Sequence, residues 1–593
     1  MLRRLLLVGC AARCLAYLLT PPSASPLLTA CNPPTLRVGR VGRGGCWMAT
    51  ESKQRSGANS SVAPTGPTPS RSSAPFATVA VPAAVRRPRR APGISPATWL
   101  RGLSSGSFHS FMLAVREAHG DVVRINLWPV LPPIYLMMGK EANRGVLSEL
   151  DQSLEQVLQD LINLLPVSAN IPSEVDVELQ KKVASLFQSV ATVNERLPSF
   201  IMIAERIRDS WLENHGETQQ RPLNVFFELS EFVLRADLEI LYGPTFCAKY
   251  ADRILPEFQR WVGELGQLGA TPVGFFTQLG ELLREALRER QKHPERYVGE
   301  RSVMQIYLQE GALDAHDEAG VVGLLTMTLM AAVFNTQVSL AWILAHLYAE
   351  PELLATARTE LRRCADLAQY SNLVQLSFVN SCIDEAVRLH TMLPGNTVLR
   401  RATQELVFDG LPIPKGSLLW LYPNAVHRDE TYFPRAASFC PYRLLKEGWG
   451  LNGGVSLSMD GCLEPVAAAC NAAGAGSGMC PVLGGMAGAV VADGGSFIPA
   501  ASPAGAPVAA TEAQSPLRRM SDEYELVTFG HGTKRCIGEK MARAMICAFL
   551  GTVLPAVDAK VAATGLPKDD NLFDLIPASK LELHDLRPHR NDR

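Results

Sequence analysis

Ten consecutive residues, Phe529-Gly530-His531-Gly532-Thr533-Lys534-Arg535-Cys536-Ile537-Gly538, constrain this chain more than any other stretch, and an apolar helical run follows them. Two glycines ahead of a basic pair predict a tight loop whose backbone approaches something flat and bulky, because a residue without Cβ removes the steric bar to close contact. Cys536 falls where the loop turns into a helix expected to start near Glu539. A helix N-terminus presents unpaired N–H groups and positive partial charge, which favour a thiolate over a thiol. Lys534 and Arg535 act in the same direction. A lone thiolate in a glycine-walled loop suits two tasks, nucleophile or axial ligand to a haem iron.

The pattern Phe-x-x-Gly-x-x-x-Cys-x-Gly, carried here by Phe529, Gly532, Cys536 and Gly538, resembles the haem-ligand loop of the cytochrome P450 superfamily, the haem-thiolate monooxygenases. The resemblance implies the cytochrome P450 fold, mainly α with small β-sheets, and haem b as cofactor. It makes Cys536 the axial ligand of the iron, sets Phe529 and Gly532 in the loop against the haem, and gives Lys534 a propionate to hold. Arg400 matches a strand position that commonly binds a propionate as well. The Trp-x-x-x-Arg that relatives often carry on an early helix is not found, and Lys181 or Lys182 is the substitute on offer.

Companion motifs occur in the same order as in the family. Glu385-Ala386-Val387-Arg388 puts an acid and an arginine at i and i+3 on one helix face. Followed by Phe439-Cys440-Pro441-Tyr442-Arg443, it resembles the Glu-x-x-Arg and second-arginine triad. The role implied for Glu385, Arg388 and Arg443 is structural, a buried and fully hydrogen-bonded ion network behind the haem. Glu318–Glu350 reads as a core helix buried on all sides, with polar residues bunched at Thr326, Thr328, Asn335, Thr336 and Gln337. Its centre, Ala331-Ala332-Val333-Phe334-Asn335-Thr336, resembles the oxygen-activation segment. Thr336 matches the family threonine, Asn335 stands where an acid usually relays protons, and Val333 replaces a glycine. A carboxamide cannot shuttle a proton through its own ionisation. The same departure occurs in branches resembling the bile-acid sterol hydroxylases and prostacyclin synthase.

Composition bounds the rest. With 47% apolar and 19% charged residues the chain can bury a large core. A net charge of -1, with no basic stripe and interleaved aromatics, argues against a nucleic-acid partner. The 13 cysteines show neither CxxC pairs nor zinc-like spacing, so they read as mostly reduced, buried thiols. Residues 1–98 hold 13 Lys or Arg and one acid, Glu51, the profile of targeting sequence and Pro/Arg/Ser-rich linker. Arg3 and Arg4 precede the apolar run Leu5–Leu19, which predicts entry to the endoplasmic reticulum membrane; the acid-poor continuation admits a plastid or a mitochondrion instead. Residues 99–593 are expected to form the haem domain, interrupted at about 451–521 by a low-complexity insert read as an unstructured surface loop.

Within that domain Phe108–His119 reads as a helix, and Asp121–Leu127 and Ile134–Met138 as strands. Helices are expected over Leu154–Leu165, Glu178–Glu195, Phe200–His215, Val225–Leu241 and Phe258–Arg290. Thr397–Arg401, Glu405–Phe408 and Ser417–Leu421 read as strands, with a turn at Asp409-Gly410, and Met541–Val557 as a helix before a terminal hairpin. The resemblance then implies dioxygen activation and hydroxylation of a hydrophobic small molecule, a sterol or other lipid, with catalytic roles for Thr336 and Asn335. It also implies an external redox partner, NADPH-cytochrome P450 reductase or a ferredoxin, since no flavin- or iron–sulfur-binding sequence is present. Lys534, Arg535, Lys540 and Arg543 suggest a basic docking face for such an acidic partner. Two rivals stand beside this reading. One is a haem-thiolate isomerase or dehydratase that rearranges a lipid peroxide without a reductase, which Asn335 favours. The other is a non-catalytic haem-binding protein, against which Thr336 argues.

Overall fold

The computed structural model describes residues 91–103, 108–126, 132–150, 153–156, 177–216, 221–264, 273–311, 317–390, 398–445, 455–457, 463–465, 520–532, 535–562, 565–567 and 580–589. The targeting segment, Thr533, Lys534 and most of the 451–521 insert lie outside them. We label the longer helices α1 (Phe108–His119), α2 (Val177–Gln188), α3 (Val190–His215), α4 (Val225–Tyr242), α5 (Pro244–Glu264), α6 (Val273–Lys292), α7 (Glu318–Ala349), α8 (Pro351–Arg362), α9 (Ser377–Leu389) and α10 (Glu539–Val553). The strands are β1 (Gly93–Ile94), β2 (Val122–Ile125), β3 (Ile134–Met137), β4 (Leu154–Gln156), β5 (Leu223–Asn224), β6 (Val398–Ala402), β7 (Leu406–Phe408), β8 (Leu411–Ile413), β9 (Leu418–Leu421), β10 (Val455–Leu457), β11 (Leu463–Pro465), β12 (Val557–Val561) and β13 (Glu582–Pro588).

Helices dominate, and small sheets flank them. The largest sheet runs β1-β2-β3-β9-β6-β4; β3 pairs with β9 in parallel and β9 with β6 antiparallel. Its alternation sorts side chains to two faces. Ile134 and Leu136 join Phe108, Met112 and Val115 of α1, while Tyr135 and Met137 join Leu419, Leu421 and Ala402. β7 and β8 form a hairpin whose turn residues Asp409 and Gly410 have φ of 48° and 70°. Two successive left-handed residues match the strand twist, which is why Asp-Gly marks such turns. β12, β13 and β5 make a third sheet that closes the terminal hairpin onto the start of α4.

Most expected elements stand, but four helices and the insert do not. Leu154–Gln156 is a strand, not the start of a helix: it finds β6 as an antiparallel partner, a tertiary pairing that local propensity does not contain. Glu178–Glu195 splits at Ser189, whose hydroxyl accepts from the Thr192 amide and caps α3. α3 in turn runs through Pro198, where a break seemed due, to His215. Phe258–Arg290 divides into α5, which begins already at Pro244, and α6. The 451–521 insert, expected to be structureless, contains the antiparallel β10–β11 ladder among its described residues.

α7 is the axis of the core. It has the length and apolarity to cross a membrane, but α4, α6, α8, α9 and α10 pack around it, so those traits belong here to a buried helix. Asp317 caps it by accepting from the Gly320 amide. Gln337 donates to the Phe226 carbonyl at 2.6 Å and Tyr242 to the Leu325 carbonyl at 3.0 Å, tying α7 to α4. Toward its C-terminal end His346 and His390 share a 2.9 Å hydrogen bond, with Trp342 stacked on His390 and Phe439 on His346.

Behind α7, α9 carries the buried ion network. Glu385 and Arg388 are both 0% exposed and bind through two parallel contacts of 2.8 and 2.7 Å. Arg443 donates to the same carboxylate at 3.1 Å, and so does the Cys440 amide at 2.9 Å. Arg388 also donates to the carbonyls of Ala436, Ser438 and His427, and Arg443 to that of Pro434. Burial pushes the Glu385 carboxyl up, but Arg388, Arg443 and the Cys440 amide hold it below its ordinary range.

Glu385→Ala leaves two guanidinium groups buried beside no counter-charge, and it is expected to cost about 3–5 kcal/mol of stability. Thermal unfolding checks this, and an unchanged midpoint would contradict it. A second expectation concerns His427, whose Nε2 accepts from the Val527 amide at 3.1 Å. Burial first, then Arg388 and Arg428, push its imidazole from 6.5 down to about 3. Between those values the unfolded chain holds the extra proton. Stability present above pH 6.5 is therefore lost as pH falls toward about 3, at up to about 1.4 kcal/mol per pH unit. Denaturant unfolding above and below pH 6.5 should show a shallower acid loss in His427→Gln than in the parent chain.

Candidate haem site

The loop before α10 is built by its own backbone. The Cys536 amide donates to the Phe529 carbonyl at 2.7 Å, closing the loop, and the Arg535 amide to Gly532 at 3.2 Å. Gly530 and Gly532 have φ of 74° and 55°, the left-handed region that favours glycine. A Cβ on Gly532 would also come 3.8 Å from the Leu147 carbonyl. Phe529 packs its ring on the main core, and the Arg543 guanidinium lies 4.8 Å from that ring.

Side chains then lock the loop from behind. Gln188, the last residue of α2, donates to the Ile537 carbonyl at 2.9 Å, while Lys540 donates to the Gln188 carbonyl at 2.6 Å. Arg543 binds Glu539 at 3.1 Å and the Asp384 carboxylate of α9. These charges raise its already high pKa against the opposing effect of burial. On the other flank the Asn143 amide donates to the Tyr524 carbonyl at 2.9 Å, and Tyr524 lies 4.2 Å from the ring of His531.

Cys536 itself is exposed. The protein packed on the inner side of its sulfur raises the thiol pKa; the Gly538 and Glu539 amides and Arg535 oppose this. The helix terminus and Arg535 favour the thiolate as expected, but the desolvation on the inner side of the sulfur is the larger effect and acts the other way. The amides still point at the sulfur, so an anion formed by binding a metal finds donors waiting for it.

On α7 the exposed central residues are Ala331 and Asn335, one turn apart on one face, with Ala332 half-buried beside them and Val333, Phe334, Thr336 and Gln337 buried. Asn335 donates through Nδ2 to the Ala331 carbonyl at 3.1 Å, and Thr336 through Oγ1 to Ala332 at 3.2 Å. Ser339 repeats the pattern toward Asn335 at 2.8 Å. Each side chain thus spends a hydrogen on its own helix, while the Asn335 Oδ1 keeps its capacity to accept.

The remaining site candidates distribute unevenly. Arg400 is half-buried on β6, with Nη1 3.0 Å from the Leu399 carbonyl. Lys534 lies outside the described residues. Lys181 and Lys182, the substitutes on offer for the arginine, are exposed on α2, where Lys181 pairs with Glu178 at 2.7 Å and Lys182 with Glu310. Of the suggested basic docking face, Arg543 is withdrawn into the Asp384–Glu539 pair, whereas Arg535 stays exposed beside Glu539. Sequence reasoning missed Asp384, Gln188 and the His346–His390 pair. Only Glu539 and Arg543, at i and i+4, left a local signal.

The residues fit a haem. An exposed cysteine with two amides aimed at its sulfur offers an axial ligand. Gly530 and Gly532 hold left-handed φ in that loop, and the buried His531 Nδ1 has no hydrogen-bond partner.

Comparison with known proteins points to the same place. The family model described as Cytochrome P450 matches residues 275–450. The (21S)-21-acetyl-1-hydroxy-apo-melianone synthase of Melia azedarach is 21% identical over 58% of this chain and 73% of its own length. The 2-hydroxyisoflavanone synthase of Glycyrrhiza uralensis is 30% identical over 28% of this chain and 33% of its own. Cytochrome P450 4F4 of Rattus norvegicus is 35% identical over 18% of this chain and 22% of its own. The chain thus spans most of the first relative and a third or less of the other two. Among solved structures, the heme domain of cytochrome P450DA aligns with a TM-score of 0.58 at 15% identity, covering 85% of this chain and 98% of that one. A retinoic acid-bound cyanobacterial cytochrome P450 aligns with a TM-score of 0.56 at 15% identity, covering 84% and 99%. Residues 275–450 thus match the cytochrome P450 family, the fold is that of cytochromes P450, and the cofactor that goes with both is haem b.

Proposed function

We propose that this chain is a haem-thiolate monooxygenase that hydroxylates a hydrophobic small molecule, a sterol or other lipid. The observation that carries the reading is the exposed Cys536 thiol at the head of α10, backed by the Gly538 and Glu539 amides. Cys536 would hold the iron through its sulfur, and Arg400 and Lys534 the propionates. Bound there, haem b supplies the activation of dioxygen. The chain's own task is to place a C–H bond, exclude water and manage protons. Ala331 offers little bulk on the exposed face of α7, which leaves room for a substrate. Thr336 has donated its hydroxyl hydrogen to Ala332, so its lone pairs are left to hold a water or a protonated group. Asn335 orients through Oδ1 without ionising.

Electrons would come from a reductase or ferredoxin docked near Arg535 and Lys540. The acid-poor leader and its apolar run support attachment to the endoplasmic reticulum membrane, with plastid and mitochondrion as the other destinations. We take residues 1–98 as targeting segment and linker, 99–593 as the haem domain, and 451–521 as a tolerated insert. A second reading, peroxide isomerisation without a reductase, is favoured by Asn335 in place of an acid.

Two measurements separate these possibilities. The reduced protein with carbon monoxide should show a strongly red-shifted Soret band that Cys536→Ser abolishes; a haem-containing parent protein without the band would end the thiolate reading. With that band in hand, conversion of a lipid should require NADPH and a reductase, and Thr336→Val should lower product formed per NADPH by on the order of tenfold or more, as expected when a proton-positioning group is lost. Conversion of a lipid hydroperoxide with no electron donor would favour the isomerase instead.

A further inference from the structure

Asn335 and Thr336 sit between two anchors. One position before them, Phe334 is fully buried and turned away from the exposed face. Its ring meets Trp261 edge-on at 5.0 Å and Phe258 at 5.9 Å, both near the end of α5. Those rings in turn meet Phe275 at the start of α6, at 5.4 and 5.3 Å, and Trp261 meets Phe276 at 5.5 Å. Five aromatic rings thus bind the end of α5 and the beginning of α6 to one residue of α7. One position after the pair, Gln337 is 0% exposed and donates to the Phe226 carbonyl at the start of α4. Phe334 and Gln337 lie three apart on one side of α7, where neighbours on a helix share a face. Asn335, a third of a turn from Phe334, projects instead to the exposed side.

We propose that Phe334 and Gln337 are positioning residues, which fix the rotation and height of Asn335 and Thr336 by clamping α7 to the α5–α6 ends and to α4. The inference rests on the monooxygenase reading for what Asn335 and Thr336 do. The clamp itself is a property of the helix. Ring contacts set translation only loosely but resist rotation, because edge-on and offset arrangements are preferred over others. A single buried hydrogen bond sets height, because breaking it leaves the buried Gln337 amide N–H without its partner. Together they hold a turn on which Asn335, Thr336 and Ser339 are turned back on carbonyls of α7 itself.

The test uses the haem-loaded full chain and two readouts that need no substrate. One is hydrogen exchange over residues 331–341. The other is the affinity for 4-phenylimidazole relative to imidazole, followed at the Soret band, since on the monooxygenase reading the larger probe is the one that reaches the exposed face of α7. Phe334→Leu and Gln337→Leu should each raise exchange by about tenfold, as a locally loosened helix does, and shift the affinity ratio several-fold. Phe334→Tyr, which keeps the ring, should stay near the parent protein in both. Trp261→Leu removes a ring partner without altering α7, and it should reproduce the Phe334→Leu result even where that variant folds poorly. Unchanged exchange and an unchanged ratio in Trp261→Leu and Gln337→Leu, with the red-shifted carbon monoxide band retained, would overturn the clamp. Absence of that band in the parent protein would overturn the underlying thiolate reading and leave the exchange result to stand on its own.

Discussion

Everything behind the cysteine loop depends on one buried carboxylate. Glu385 accepts from Arg388, Arg443 and the Cys440 amide, and the two arginines spend their remaining donors on carbonyls of the 427–438 segment. A pair of this kind is not a source of net stability by itself, since desolvating the charges offsets their attraction. Its value is directional. The planar guanidinium of Arg388 imposes two parallel contacts on Glu385 and points its other nitrogens at carbonyls that have no regular secondary structure to satisfy them. The 427–443 chain is thereby held to α9, and His427, at its near end, accepts from Val527 at the entrance to the loop.

A second ion pair continues this support one layer forward. Asp384 neighbours Glu385 in sequence but takes Arg543 of α10, which also lies over Phe529. Two consecutive acids of α9 thus serve two different structures, one the 427–443 segment and the other the loop that presents Cys536. The cysteine gains from this a fixed backbone and two amide donors, which oppose the upward push that the protein on the inner side of its sulfur gives the thiol pKa. Electrostatic preparation here means donors placed in advance for an anion that only metal binding produces.

Opposite demands meet on α7. Its outer faces must bury Val333, Phe334 and Gln337 in a tightly packed core, while one stripe carries Ala331 and Asn335 to an exposed surface. The stripe is narrow, with Ala332 half-buried at its edge. Bulk at 331 or a charge at 335 would be felt at once, whereas the flanking anchors are shielded from whatever binds. Arg543 illustrates the converse: a residue that reads as surface charge becomes internal structure once Asp384 reaches it, and a docking face drawn from sequence loses one of its members.

The sequence by itself determined the elements whose signals are local. Phe108–His119, Val225–Tyr242 and Glu318–Ala349 follow from apolar period and caps. The β7–β8 turn follows from Asp-Gly, and the cysteine loop from glycines placed where left-handed backbone is needed. The partners of Glu385 were legible too, through motifs at fixed spacing. What only tertiary structure decided was non-local. β4 is a strand because β6 lies beside it, Asp384 matters because α10 packs on α9, and Phe334 faces inward because α5 and α6 end against it. The acidity of Cys536 belongs to the same class: the helix terminus is visible in the chain, but desolvation depends on atoms brought from elsewhere, and it is the stronger effect.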